Sequence, residues 1–147
     1  MKIKPLKNLH ERYIKRTPHN AIVVQKEILL CHLTNAVRRV CNLSCNSVYV
    51  STRMLKHLYD GKPAEQYDFI IYNLHTIVKY PDHIYKNKDG KRGDLILAKV
   101  LKNKKCLCSI EDKNKKIEIA TAFRVKDSYL NNYELLWSWR DDKNPSS

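Results

Sequence analysis

Helical spacing of apolar residues in the first half of the chain, and alternation in the second, predict an α+β fold. The connections between the alternating runs, "KNK" and "DKNK", are short and polar, so neighbouring strands are expected to form antiparallel hairpins. The expected architecture is a set of N-terminal helices packed on a C-terminal antiparallel sheet of three to four strands. The 147 residues suit one core. They divide into a basic N-terminal arm, residues 1–20, and a single α+β domain, residues 21–147.

The arm carries six Lys/Arg against one Glu, with Pro5 and Pro18 and little apolar pattern. It either frays or orders on a polyanion. In residues 21–40, Ile22, Leu29, Leu33, Ala36, Val37 and Val40 fit the buried stripe of a helix, although the "IVV" start also suits a few residues of strand. "NLSCNSVYVST" breaks that helix, and Val48 and Val50 alternate with Tyr49 and Ser51 as in a short extended piece. Ser51 or Thr52 then caps a helix in "RMLKHLYDG", which Gly61 and Pro63 stop. Residues 64–80 give the clearest helix: Tyr67, Ile70, Ile71, Leu74, Ile77 and Val78 recur at i, i+3, i+4 spacing, and Pro81 ends it. "KNKDGKRGD" reads as a loop. "LILAKVL", "KCLCSIE" and "KIEIATAFRV" read as three strands, with Asn103 and Asn114 suited to the turns. "SYLNNYELLWSWRDD" closes the fold as a helix, or as a helix followed by a short extended end.

The charge narrows the partners. Lys and Arg number 28 against 15 Asp and Glu, a net +13. Such a surplus makes a strong positive field whose natural partners are polyanions, although a lysine-rich genome raises charge without any function. No run of about 18 apolar residues is present, and the charges of "MKIKPLKNLHERYIKR" interrupt any secretory core. A cytoplasmic protein without a membrane partner is expected. Five cysteines, an odd number in C-x3-C and C-x-C spacings, fit neither a disulfide framework nor a zinc site well.

No nucleotide-binding glycine motif, zinc-protease motif or nucleophile elbow is present. The carboxylate pairs Glu111-Asp112 and Asp141-Asp142 read as solvated charge. What remains suits metal-free phosphodiester chemistry. RNA cleavage of that kind needs a base for the 2′-hydroxyl, an acid for the 5′ leaving oxygen and a cation for the phosphorane. His57, His75 and His83 are candidate acids or bases. Lys99 interrupts "LILAKVL" on the face of Leu95, Leu97 and Leu101, so it either snorkels at an edge or points into a site. Thr121 shares the expected face of Ile117, Ile119, Phe123 and Val125, with Arg124 opposite, and is either strand filling or part of a site.

Taken together, "LKH" on one helix, "YDFIIYNLHTIVKYPDHIY" on the next, the basic strands and the "IATAF" strand resemble the phage-associated branch of the barnase–EndoU–colicin–RelE-like nuclease superfamily. The resemblance runs over about residues 47–145. It implies a nuclease-like domain, with helices against a four-stranded antiparallel sheet, and metal-independent ribonuclease activity. Its catalytic residues would be His57, Lys99 and Thr121, with no cofactor. The fourth strand would come from "VYV" or from the end near Trp137 to Trp139. Lys86, Lys88, Lys91, Arg92, Arg124 and Lys126 would contact nucleic acid. The expected partners are RNA and an acidic antitoxin or immunity protein. The alternative is a non-catalytic nucleic-acid-binding or inhibitor protein on the same fold.

Overall fold

The computed structural model describes residues 4–88 and 93–139. Helix α1, Lys4–Leu9, runs into a wider π-helical turn, His10–Ile14. Leu6, Leu9 and Ile14 are buried, so this stretch of the arm belongs to the same core as the rest of the chain. Strand β1 is Glu27–His32, α2 is Asn35–Val40 and β2 is Ser47–Ser51. Helices α3, Thr52–Gly61, and α4, Ala64–Lys79, follow. Then come β3, His83–Lys86, β4, Leu95–Leu101, β5, Lys104–Asp112, and β6, Ile117–Val125. A 3-10 turn, Asp127–Leu130, leads to β7, Leu135–Ser138.

The expected antiparallel sheet of three to four strands is overturned. The chain is α+β, but it builds one seven-stranded mixed sheet in the order β1-β2-β6-β5-β4-β3-β7. The β4–β5–β6 hairpins form as their polar turns demand. Lys102 and Asn103 both take positive φ, which suits a two-residue hairpin turn. Strands β2 and β1 extend this unit on one side, and β3 and β7 on the other. The pair β2–β6 is parallel, through Val48↔Ile117 and Tyr49↔Glu118 alone, and the remaining pairs are antiparallel.

The helices are not gathered before the sheet either. The stripe expected over residues 21–40 fails because Ile22 is 97% exposed, and Leu29 and Val40 are exposed as well. The residues that reach the core are Leu30, Cys31, Leu33 and Val37. "EILLCH" pairs with β2 as an edge strand, and the helix starts only at Asn35, where the Thr34 hydroxyl accepts from the Val37 N–H. Cross-strand pairing has outcompeted a helical spacing that never faced a partner.

The sheet has two packed faces. On one lie the helices: Tyr67, Ile70, Leu74, Ile77 and Val78 of α4 meet Leu97, Cys106, Cys108, Ile110 and Ile117. Burying each large apolar side chain is worth about 1.5–3 kcal/mol. On the other, Ile96, Ala98 and Leu107 form a smaller core with Leu130 of the 3-10 turn, and Phe123, Val125 and Tyr133 pack against it. Strand β6 carries a bulge that switches which of its residues face which side. Ser109 pairs with Thr121, but the next residue, Ile110, pairs with Ile119, which leaves Ala120 as the extra residue. Ile117 and Ile119 therefore face the helices together with Ala122, while Phe123 and Val125 join the second core. The single face expected for Ile117 through Val125 is broken at Ala120.

Candidate functional site

Strand β2 pairs with β6 only as far as Tyr49↔Glu118 and then runs directly into α3. Ser51 starts that helix: its hydroxyl accepts from the Met54 N–H at 3.1 Å. Met54, Leu55 and Leu58 are buried, so α3 turns Arg53 and His57, one helical turn apart, outward. Where β2 leaves β6, an open groove of about 360 Å³ remains. Ser51, Arg53 and His57 line one side of it, and Glu118 and Ala120 of β6, with Glu111 and Lys113, line the other. Glu118 pairs with Lys116 at 3.5 Å and Glu111 with Lys113 at 3.4 Å.

Lys56, between these two outward residues, points inward. It is 6% exposed. Its ammonium donates to Thr17 Oγ1 at 2.9 Å, to the Pro18 carbonyl at 2.6 Å and to Asp60 Oδ1 at 2.8 Å. Burial opposes the charge on Asp60, but the hydrogen bonds from Lys56 and the Asn20 N–H outweigh it and hold the carboxyl below its usual range. This cluster fastens residues 17–20 to α3.

The three residues expected to act together are distributed over three cavities. His57 is in the groove just described. Thr121 is buried and opposite Ser109, and both line a narrow cleft of about 90 Å³ on the second face of the sheet. Thr121 adjoins the groove only through its chain neighbour Ala120. Lys99 lies on the helix-bearing side, in a cleft of about 430 Å³ with Val37, Tyr80, Trp137 and Trp139. Its ammonium donates to the Tyr80 carbonyl at 2.8 Å and pairs with Asp82 Oδ1 at 3.2 Å. Alternation along β4 and the bulge in β6 put Lys99 and Thr121 on opposite faces of the sheet, so the two do not meet.

Among the expected phosphate contacts, Lys86 and Lys126 are exposed. Lys88 stands 4.5 Å over the Tyr133 ring. Arg124 is engaged: its guanidinium donates to both Glu65 oxygens at 3.0 Å, and this holds the Glu65 carboxyl below its usual range. Lys91 and Arg92 lie outside the described residues. Beside Lys126, Lys104 and Lys105 line a shallow cleft at the same end of the sheet. Lys62 stands 4.9 Å over Phe123. Lys62, Lys104, Lys105, Arg53 and Glu118 were not singled out from the sequence. Arg53 had a signal, its i, i+4 spacing from His57; Glu118 had none beyond its place in an alternating strand.

None of the five cysteines is in a disulfide, and burial pushes the Cys41 thiol up to about 11. Among the described residues, no three His, Cys, Asp or Glu side chains gather as a metal-ligand set. Comparison with protein-family models, curated proteins and solved structures finds no match for this chain.

Proposed function

We propose that this protein is a small basic endoribonuclease whose acid–base centre is the His57 groove. The observation that carries the reading is the convergence there of an imidazole, a guanidinium and two carboxylates on one open surface. Each has a role in metal-independent cleavage. Glu118 or Glu111 takes the 2′-hydroxyl proton, His57 protonates the 5′ leaving oxygen, and Arg53 clamps the phosphate as its charge grows. The product is a 2′,3′-cyclic phosphate. The resemblance to the barnase–EndoU–colicin–RelE-like superfamily supports the helical histidine. The assignment of Lys99 is given up, because its ammonium is committed to Tyr80 and Asp82 in a separate cleft. A nuclease of this charge would act in the cytoplasm and call for an acidic antitoxin that covers the groove.

The test is incubation of the purified protein with total RNA in EDTA. Cleavage to cyclic phosphate ends is expected, and His57→Gln should slow it by about 10²–10⁴-fold, the usual contribution of a positioned acid or base. Intact RNA would overturn the reading. A mobility shift without cleavage would favour the second reading, a non-catalytic nucleic-acid-binding protein. That reading has its own observation, the lysines at 62, 104, 105 and 126 beside the exposed ring of Tyr129 and the half-buried ring of Phe123.

A further inference from the structure

The cleft on the second face holds a polar atom with nothing to bind. Ser109 is 3% exposed, and its hydroxyl has no hydrogen-bond partner among the described residues. A buried hydroxyl left unpaired is costly, and alanine would fill the same strand position without that cost. Beside it stands Thr121, its partner across β5 and β6, also buried. Two hydroxyls thus share the floor of a cleft whose other lining is apolar or aromatic apart from Asn87, whose amide donates to the Gly93 carbonyl at 2.8 Å.

The walls are π surfaces. Phe123 and Tyr129 meet edge to face, with ring centroids 6.0 Å apart at 90°. Tyr129 and Tyr133 lie nearly parallel at 6.0 Å and 20°. Tyr129 is 46% exposed, so one aromatic wall opens to solvent. The mouth is positive: Lys88 stands over Tyr133 and Lys62 over Phe123. Aromatic walls, hydroxyls at the floor and cations at the rim are what a single nucleotide of an unpaired strand requires. The base stacks, its edge is hydrogen-bonded, and the flanking phosphates meet the lysines.

We infer that this cleft receives one unstacked pyrimidine base of an RNA strand. The cleft is narrow, about 90 Å³, and open on the Tyr129 side, so a base enters edge first, and a single six-membered ring brings its edge to the floor hydroxyls with less bulk against the walls than a fused purine. A hydroxyl both donates and accepts, so Ser109 and Thr121 can satisfy the edge of uracil or of cytosine. The position also fits. Thr121 follows Ala120, which lines the His57 groove, so a base held here places the adjoining phosphate toward Arg53 and His57. The inference names the substrate of the proposed ribonuclease and rests on that reading for the identity of the strand.

The experiment separates the two. Fluorescein-labelled oligouridylate, oligocytidylate and oligoadenylate are titrated by anisotropy against the His57→Gln protein, so that cutting does not interfere. In that background the two pyrimidine strands should bind about tenfold more tightly than oligoadenylate. Adding Ser109→Val should remove most of that preference while leaving the salt dependence unchanged. Tyr129→Ala should weaken binding of all three strands by about 5–150-fold, the range for losing one stacking ring. Thermal unfolding confirms that each variant folds, and Ser109→Ala replaces the valine variant if that one does not. Equal affinity for the three strands, or a pyrimidine preference that survives both serine substitutions, overturns the inference. Pyrimidine preference lost with Ser109, in a protein that cuts no RNA, would uphold the cleft and refute the nuclease reading. Cleavage without base preference would do the reverse.

Discussion

Lys56 and His57 are neighbours in the sequence and should separate cleanly under mutation. Lys56→Met keeps the length and the apolar stem of the side chain and removes the ammonium. Three short hydrogen bonds are lost together, and Asp60 loses its closest cation. Breaking a buried ion pair by removing one partner costs about 3–5 kcal/mol. The lower end applies here. The Asp60 side chain is 13% exposed and keeps the Asn20 N–H at 3.0 Å, and Thr17 and Pro18 can turn to water at the surface. A loss of about 3 kcal/mol is therefore expected. At about 2–4 °C per kcal/mol, the melting temperature should fall by about 6–12 °C. Circular dichroism reads that shift. Trypsin reads its location, because Lys15 and Arg16 are exposed just before the fastened segment and should be cut much faster in the variant. His57→Gln, one residue on and facing solvent, should melt within about 2 °C of wild type, as surface substitutions within about 0.5 kcal/mol do. A Lys56→Met protein that melts like wild type and resists trypsin equally would refute the claim that this ammonium holds the arm.

Three further outcomes follow from the same contacts. Because Asp60 titrates below its usual value, its contribution is complete above its unfolded pKa near 4 and is lost as pH falls through its folded one. Trypsin sensitivity near Arg16 should therefore rise only in the acid range for wild type, and at higher pH in Lys56→Met. If lysines 62, 104, 105 and 126 each neutralise one phosphate, the logarithm of the RNA-binding constant should fall with that of salt at a slope of about −3. Lys126→Ala should flatten that slope more than Arg124→Ala, since Arg124 is already paired with Glu65; equal slopes across these proteins would count against the basic end of the sheet. Gly93→Ala should cost at least about 1 kcal/mol in thermal unfolding, because Gly93 has φ +95° and a Cβ there would stand 2.7 Å from the Ile110 carbonyl oxygen; an alanine variant as stable as wild type would show that the loop shifts freely.

The parts of the fold that the sequence announced are those whose partners are close in the chain. Helix α4 has a long stripe and a proline at its end, and it forms over Ala64–Lys79 with five residues of that stripe buried. The β4–β5–β6 hairpins have their turn residues, and Asn103 and Asn114 do take positive φ. The outer strands were less legible for the opposite reason. Strands β3 and β7 have four residues each, too short for any period to show, so β3 was missed and β7 was open between a helix and a short extended end near Trp137 to Trp139; β3 pairs only because β4 is there to receive it. Strand β1 is paired by β2, across the whole of α2, and its apolar residues happened to fit a helical wheel as well. For the site, "LKH" was a legible place but not a legible arrangement. On a helix, adjacent residues point about 100° apart, so the two side chains need not share a face; the packing of residues 17–20 turns the lysine inward.

The bulge at Ala120 explains why a hydroxyl stands among the apolar residues of β6. In an unbroken strand Thr121 would follow Ile119 onto the helix-bearing face and meet the side chains around α4, where its hydroxyl would have to be satisfied inside the larger core. The extra residue turns it to the second face, opposite Ser109, into a cleft with a solvent-open wall. No feature of "IEIATAFRV" announces this, because the apolar alternation reads through the bulge without interruption. The bulge also falls just beyond the last residues of β6 that β2 covers, Ile117 and Glu118. One short stretch of β6 thus borders the groove with Glu118 and Ala120 and floors the cleft with Thr121. That adjacency is what allows a base held against Ser109 and Thr121 to deliver its phosphate to Arg53 and His57. Lys99 stays out of the same chemistry: it lines a separate cleft, and its ammonium is held there by the Tyr80 carbonyl and Asp82.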